Sequence, residues 1–599
     1  VPQQISCRRP SAGHLDDSGD TAEISDTFVV AFADIARPKR ASCRAARALH
    51  SRCDMRCHHL ALLTLVAGCA TTARFPNRPV LWRDPDTLPI ARPHAPLPAG
   101  IQWTGFRDAL LFPADRALAL DYGEEATNVN ALDEVPDSSW YFDVRRVGLT
   151  DEERVRPRAL GRDGMTRGPF GDDPGPIAPF TIIKGKTIGS TPGLVVRDAR
   201  GKLYMFKLDP PGWLGMNTST EVVATRLAWA SGWIVPAEMI VDVRTEDLLL
   251  SAFARTHNAH DEEIPLTAEM LSDLYRRTPR QADGTLRVCA GRWLDGRSLG
   301  PWAYTGRRGD DPNDRIDHQN RRDVRAFGVF AAWVNDIDTM ENNTMDAYVG
   351  AEGSGHIVHY QQDVGGSFGQ FAAVPAEVWM GQETFFMPDR IFASLFTFGA
   401  LGRTFDDDRQ VERRRRLLEK YPELGYFDDD RFDPKSWHPI LDNPAFVRMT
   451  RRDRYWGAKR VVAFSQDEVR AAVALGHYPP ATAERLFEVL WHRREKIARA
   501  FLAETAPLDY FRFDQQRLCF DDLWIEAGLA AANSARYFAV VDGKRQDAGT
   551  TACLAADASR GYHVVEIGAV RGGGPGPSPA VRVHYVGDGG RARVVGIER

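Results

Sequence analysis

The segment from Asn320 to Gly366 constrains this 599-residue chain more than any other, because four features stand in it in a fixed order. Val324, Phe327, Phe330 and Val334 recur at helical spacing over Asn320–Val334. A polar run follows, from Asn335 to Asn343, in which Asp338 and Asn343 stand five apart. Thr344–Val349 and His356–Gln361 then read as the two strands of a hairpin around a Gly-rich turn at 350–355. Asp363-Val364-Gly365 closes the segment. Two side chains that must converge on one group need an irregular loop, which neither helix nor strand geometry supplies. An Asx-rich turn is the plain alternative for Asp338 and Asn343. A glycine two places after Asp363 lets the backbone turn away there.

Upstream the chain is β-rich. Phe180–Lys184, Leu194–Arg197 and Leu203–Leu208 read as strands, and Gly185, Gly189 and Gly193 punctuate the first turn. Lys207 ends the third strand. Glu221 follows in the first turn of a helix predicted from about Ser219 to Trp229, with Val223, Leu227 and Ala230 on one face. A solvated strand-end lysine is the bland reading of Lys207. Thr218-x-x-Glu221 also fits a capping box, which would give Glu221 a purely local role. Glu238–Val243 is a further strand. Beyond Arg292 the pattern is mainly helical, with amphipathic stretches at 410–421, 466–476, 482–503 and 521–533. The last sixty or so residues return to short strands and Gly-rich turns, the pattern of a small β appendage. No internal repeat is visible.

Charge and composition narrow the class. Lys plus Arg number 76 and Asp plus Glu 81, giving −5 with the signs mixed and no basic block, which argues against a nucleic-acid partner. No apolar run approaches the roughly eighteen residues that span a bilayer. Residues 1–54 lack periodicity and are expected to be an untranslated or disordered upstream segment. Met55-Arg-Cys-His-His, then an apolar run, then Val66-Ala67-Gly68-Cys69 has the layout of an export signal over 55–68. Residues 69–100 are Pro- and Arg-rich and read as a tether. Cys289, Cys519 and Cys553, the cysteines beyond Cys69, are too scattered to suggest a disulfide framework or a zinc site.

Val66–Cys69 resembles the lipobox of bacterial lipoproteins, which implies a lipid on Cys69 and a cell-envelope, membrane-anchored location. Over about residues 128–535 the chain resembles a family of uncharacterised bacterial proteins. The likeness is carried by GKTIGSTPGLVVRDARGKLYMFKLDPP (185–211), GDDPNDRIDHQNRRDVRAFGVFAAWVNDIDTMENNTMD (309–346), HYQQDVGGSFG (359–369), FDPKSWHP (432–439) and LCFDDLW (518–524). The Lys207/Glu221 pair, the Asp338-x4-Asn343 loop and Asp363-x-Gly365 are in turn similar to the protein-kinase-like superfamily, in particular HipA-type and CotH-type kinases. That likeness implies an α+β, bilobal fold. After an N-terminal extension (101–179) come a β-rich N-lobe (180–291), a helical C-lobe (292–535) and a small all-β domain (536–599). It implies ATP and Mg²⁺ as cofactors, with Lys207 on phosphate, Glu221 positioning it, and Asp338 as the base. Asn343 and Asp363 would hold Mg²⁺. Gly185, Gly189 and Gly193 would cover the nucleotide, with Lys186 as a further phosphate contact.

Three departures from that pattern stand out. Met340 occupies the place where kinases carry Lys or His; Arg321 or Arg322 could replace the missing charge, unless they belong to a solvated helix face. Asp336 is a second candidate base, and Val364 replaces the usual Phe. ATP is also scarce outside the cytoplasmic membrane, so a catalytically degenerate scaffold lipoprotein and an AMP-transferring variant stand beside phosphate transfer. The acceptor is not legible. His356 and His359 are expected on one sheet face as structural residues. Asp310–Asp314 is an oxygen-rich loop without EF-hand spacing. Trp293, Trp302 and Trp333 are expected in the core.

Overall fold

The computed structural model describes residues 74–95, 106–107, 111–112, 123–186, 191–258, 262–372, 374–384, 387, 395–397, 408–571 and 579–599. Gly189, Cys69 and the export signal lie outside them. The chain is a mixed α/β protein. A short helix, Gly161–Arg167 (α1), and the buried Phe170 occupy the Gly-rich stretch before the first sheet.

Seven strands form that sheet: Phe180–Gly185 (β1), Gly193–Arg197 (β2), Leu203–Leu208 (β3), Glu238–Val243 (β4), Leu248–His257 (β5), Glu263–Pro265 (β6) and Leu286–Arg292 (β7). Their order is β4-β7-β3-β2-β1-β5-β6, antiparallel except where β1 meets β5. Tyr204, Phe206 and Leu208 join Phe180, Ile182 and Val196 in one apolar cluster, so the alternation of β3 sends Lys207 to the opposite face. Register then sets its neighbours. Gly193 on β2 and Cys289 on β7 pair with Lys207, and Glu238 on β4 pairs with Gly291.

Met216–Ser231 (α2) packs on the sheet, and all its residues but Trp229 are buried. It begins at Met216, three residues earlier than the periodicity predicts, after an N-cap at Gly215 with φ 85°. The predicted capping box is absent: Thr218 lies inside the helix, and Asp209 supplies the cap from outside. The Asp209 carboxylate accepts from the backbone N–H of Gly215 (2.8 Å), Asn217 (3.1 Å) and Thr218 (2.9 Å). That leaves Glu221 for another partner. Ala268–Arg277 (α3) flanks the sheet as a half-exposed amphipathic helix.

Arg322–Val334 (α4) ends at Asn335, whose φ of 59° suits the left-handed tolerance of Asn. Asp408–Lys420 (α5), Arg451–Val462 (α6), Gln466–Ala474 (α7) and Pro480–Phe501 (α8) follow. Phe330, Trp333, Trp456, Leu490 and Ile497 share one buried cluster among α4, α6 and α8. Arg297–Gly300 (β8), Thr344–Val349 (β9) and His356–Gln361 (β10) form a second sheet in the order β10-β9-β8. The β9–β10 hairpin has the predicted bounds.

Several expectations change on contact with the structure. The helix predicted over 521–533 is reduced to Leu523–Glu526, because the chain is still a strand to Asp522. Cys519 and Cys553 are joined in a disulfide across paired strands; their separation of 34 residues hid the pairing in the sequence. Trp302 and Trp333 are buried, whereas Trp293 is 38% exposed. His356 and His359 are three apart on a strand and so lie on opposite faces. His359 is buried, bonded to Asp346 at 2.6 Å and stacked on Trp140. The Pro-rich stretch read as a tether packs where it is described, burying Trp82 and Ile90. Trp82 shares a cluster with Leu508, Phe511, Val583 and Ile597, so the C-terminal strands share their core with residues far upstream.

Candidate active site

Lys207 is the centre of the site. Its ammonium lies 2.8 Å from Glu221 Oε1, 3.5 Å from Asp363 Oδ1 and 3.7 Å from Glu238 Oε1. Strand β3, helix α2 and the turn after β10 thus meet at one nitrogen, as the motif order anticipates. Burial favours the neutral amine, but the three carboxylates outweigh it and hold the Lys207 pKa well above its ordinary value. Lys207 and Glu221 are almost fully enclosed, whereas the Asp363 side chain is 32% exposed, so the cluster opens to solvent at Asp363.

The turn that carries Asp363 is built on close backbone approach. Gly365 N–H donates to Asp363 Oδ1 at 3.1 Å. A Cβ on Gly365 would fall 2.2 Å from Glu221 Oε1, and one on Gly366 would fall 2.8 Å from Asp338 Cβ. Both glycines are therefore required by the crowding of carboxylates around them. Asn343 accepts backbone N–H groups of Gln362 (2.8 Å) and Asp363 (3.2 Å) at its carbonyl, joining the two ends of the hairpin. Its side-chain amide donates to the Asp338 carbonyl, which leaves Oδ1 as the atom a cation could use.

Asp338 and Asp336 face this turn. Burial pushes Asp338 up to about 6, against the pull of the Asn343 amide and with the charge of Asp363 adding to the rise. Burial, with Asp338 and Asp363 behind it, pushes Asp336 well above the carboxylate range. Burial and Asp363 likewise raise Glu221. For Asp363 the adjacent Lys207 and Lys186 outweigh burial and hold the carboxyl down to about 2. Asp336 Oδ1, Asp338 Oδ1 and Glu221 Oε2 are buried without a hydrogen-bond partner. Buried carboxyl oxygens without a partner beside the Asp363 turn are groups that a bound cation would satisfy. Among the described residues no group of three or more His, Cys, Asp or Glu is disposed to hold a metal by itself. A Mg²⁺ here would take Asp363 and Asn343 together with oxygens of a phosphate ligand, its usual way of binding.

The first turn contributes differently from expectation. Lys186 sits at its base, with its N–H bonded to Gly193 O at 2.9 Å, and its amine is close enough to Lys207 for the two charges to oppose each other. A Cβ on Gly185 would meet Thr256 Oγ1 at 2.7 Å, and one on Gly193 would meet Phe206 O at 2.7 Å. These glycines are explained by neighbouring strands. Arg321 and Arg322 do not supply the charge that Met340 lacks. Arg322 is fully buried and bonded to Asp133 and Asp453, and Arg321 pairs with Asp323 beneath the Trp140 ring. In the Asp310–Asp314 loop, Asp314 holds His318 and Asp310 holds Arg308.

Glu238 escaped the sequence reading. It reaches Lys207 past Gly291, which has no side chain to block it, and its Oε2 accepts from Thr225 Oγ1 at 2.8 Å. A charged residue at the start of a strand and ahead of an apolar Met-Ile-Val run is the signal that could have found it.

No protein-family model and no curated protein matches the chain. Among solved structures it is similar to the Golgi casein kinase at 10% identity and a TM-score of 0.25, over 69% of this chain and 96% of that one. The Golgi casein kinase with Mn/ADP bound matches at 9% identity and a TM-score of 0.25, over 68% and 95%. Likeness at that score carries no weight for the site, which stands on its own geometry.

Proposed function

We propose that the chain is a bilobal, kinase-like phosphotransferase that uses Mg-ATP to modify a hydroxyl acceptor. The observation that supports this reading best is the convergence of Lys207, Glu221 and Asp363, from three separate elements, within 3.5 Å of one ammonium nitrogen. Lys207 and Lys186 bind phosphate oxygens, with Lys186 supplying from the β side the charge that Met340 does not provide. Glu221 and Glu238 hold Lys207 in place. Asp363 and Asn343 hold Mg²⁺, which supplies charge neutralisation on the phosphates. Asp338, with a pKa near 6, is ionised at neutral pH and takes the acceptor hydroxyl proton. The hydroxyl oxygen bonds to the γ-phosphorus as the bond from that phosphorus to the β-γ bridging oxygen breaks, and ADP leaves.

The same reading places the protein on the cell envelope through a lipid on Cys69. The Cys519–Cys553 disulfide supports it, since such bonds persist in oxidising compartments. Replacing Cys69 by Ser should move the protein out of the membrane fraction; an unchanged distribution removes the anchor from the proposal.

Incubation with ATP labelled at the γ- or α-phosphorus tests the chemistry. Transfer or release of γ label, lost in Asp338→Asn, is the expected result. Incorporation of α label instead would replace phosphate transfer by AMP transfer, and no turnover of either label would leave a nucleotide-binding scaffold.

A further inference from the structure

The FDPKSWHP run at 432–439 belongs to none of the groups around Lys207, yet the segment it opens runs along the back of the Asp338 loop. Three hydrogen bonds join the two. Trp437 Nε1–H donates to Asn335 Oδ1 at 2.9 Å, Ile440 N–H to Ile337 O at 3.0 Å, and Asn443 Nδ2–H to Thr339 O at 3.0 Å. The loop residues bonded to this segment are 335, 337 and 339. Between them stand Asp336 and Asp338, whose backbones bond within the helix end and the loop, Asp336 N–H to Ala331 O at 2.8 Å and Met340 N–H to Asp338 O at 2.9 Å. On the other side of the loop, Ile337 N–H donates to Gly366 O at 3.2 Å. The loop is therefore clamped like a strand between the Asp363–Gly366 turn and the 437–443 segment. Both aspartates lie against the Asp363 turn: a Cβ on Gly366 would fall 2.8 Å from Asp338 Cβ and 3.1 Å from Asp336 Oδ1.

We infer that Trp437 and Asn443 are positioning residues that set the register of the Asp338 loop. This inference rests on the phosphotransfer reading for its kinetic arm only. Both donors are buried side chains aimed at a single acceptor, so neither can be replaced by water without moving the loop. Asn443 is itself fixed, because its Oδ1 accepts from Ala445 N–H at 3.0 Å. Asn335 is gripped from a second side by Arg493, which also caps α4 by donating to Trp333 O at 3.0 Å. A slip of the loop by one residue would carry Asp336 and Asp338 away from the Gly366 backbone that they now adjoin. Lys207 lies on β3, outside this clamp, whereas Asn343 belongs to the clamped loop and Asp363 is bonded to it through the Asn343 carbonyl at 3.2 Å.

The test uses the full chain carrying Trp437→Phe, which keeps an aromatic ring of smaller size and loses the N–H donor, and Asn443→Ala. With γ-labelled ATP and water as acceptor, each variant should show kcat for phosphate release reduced on the order of 10- to 100-fold, with KM for Mg-ATP raised by less than kcat falls, as expected when the base is displaced and Lys207 is not. Amide exchange over 336–343 should accelerate about tenfold or more, with other helices and strands unaffected. Wild-type turnover in both variants, or kcat and KM worsening together with general loss of exchange protection, would overturn the positioning role. If the wild-type protein does not turn over ATP, the phosphotransfer reading fails. The exchange result alone then decides the clamp: unchanged protection over 336–343 refutes it.

Discussion

At the scale of single residues the site is governed by crowded negative charge. Asp338 has a raised pKa of about 6 because it is buried beside Asp363. In the proposed mechanism its ionised form is the base, so turnover should be flat above about pH 7 and fall tenfold per unit below about pH 6. Asp338→Asn should lie at background at every pH; a variant retaining the wild-type profile would remove Asp338 from the mechanism. Gly365→Ala tests the crowding sterically. Its added carbon meets Glu221 Oε1 at 2.2 Å, so the Glu221–Lys207 contact must open. The expected result is about tenfold weaker Mg-ATP binding by calorimetry, whereas unchanged affinity would show that Glu221 does not position Lys207. Residues with a motif spacing were the legible ones here. Glu238 was not, because nothing local says that a strand-opening glutamate crosses a glycine to reach a lysine on the strand beyond.

Elements carry these residues into place, and their legibility follows how much of the deciding interaction is local. The β9–β10 hairpin was readable to the residue because alternating burial and a Gly-rich turn are properties of its own twenty or so positions. Strands β5 and β7 were missed for opposite reasons. β7 is buried at nearly every position and has no alternation to see, while β5 exposes Leu249, Leu250 and Phe253. The start of α2 was misplaced because its cap, Asp209, lies outside the capping-box window. Asp209→Ala should cost about 0.5–2 kcal/mol of stability in denaturant unfolding, the usual value of a cap. It should also weaken Mg-ATP binding, since Glu221 rides on the first turns of that helix. Lost stability with full affinity would separate the cap from the site.

Across the whole molecule, buried ion pairs join segments far apart in sequence. Glu134 contacts Lys459 and Arg146, Asp143 pairs with Arg460 at 2.7 Å, Arg322 with Asp453 at 3.0 Å, and Arg599 with Asp509 at 3.0 Å. Burial alone would raise Asp133, Glu134 and Asp143, but the facing Arg and Lys side chains hold all three below the ordinary carboxylate range. Folded pKa values lowered in this way add stability that is complete above the unfolded value of about 4 and is lost as pH falls through the folded ones. Thermal stability should therefore drop steeply below about pH 4. Arg322→Met should cost about 3–5 kcal/mol at neutral pH by leaving Asp133 and Asp453 short of a partner; a loss under 1 kcal/mol would show that the network is not structural. No sequence pattern announces such a network, because each pair bridges more than a hundred residues or depends on packing alone. Yet it is what holds the 128–146 segment, α4, α6 and the C-terminal strands as one frame behind the site. The central claim is that Lys207, Asp338, Asn343 and Asp363 surround one nucleotide and its cation. The most direct measurement is the melting temperature of the purified protein with Mg-ATP against ATP in EDTA. Mg-ATP at a hundred times its Kd should add about 2.7 kcal/mol to stability, visible as a clear upward shift that EDTA reduces and Asp363→Ala abolishes. No shift with Mg-ATP, or one that persists in Asp363→Ala, would contradict it.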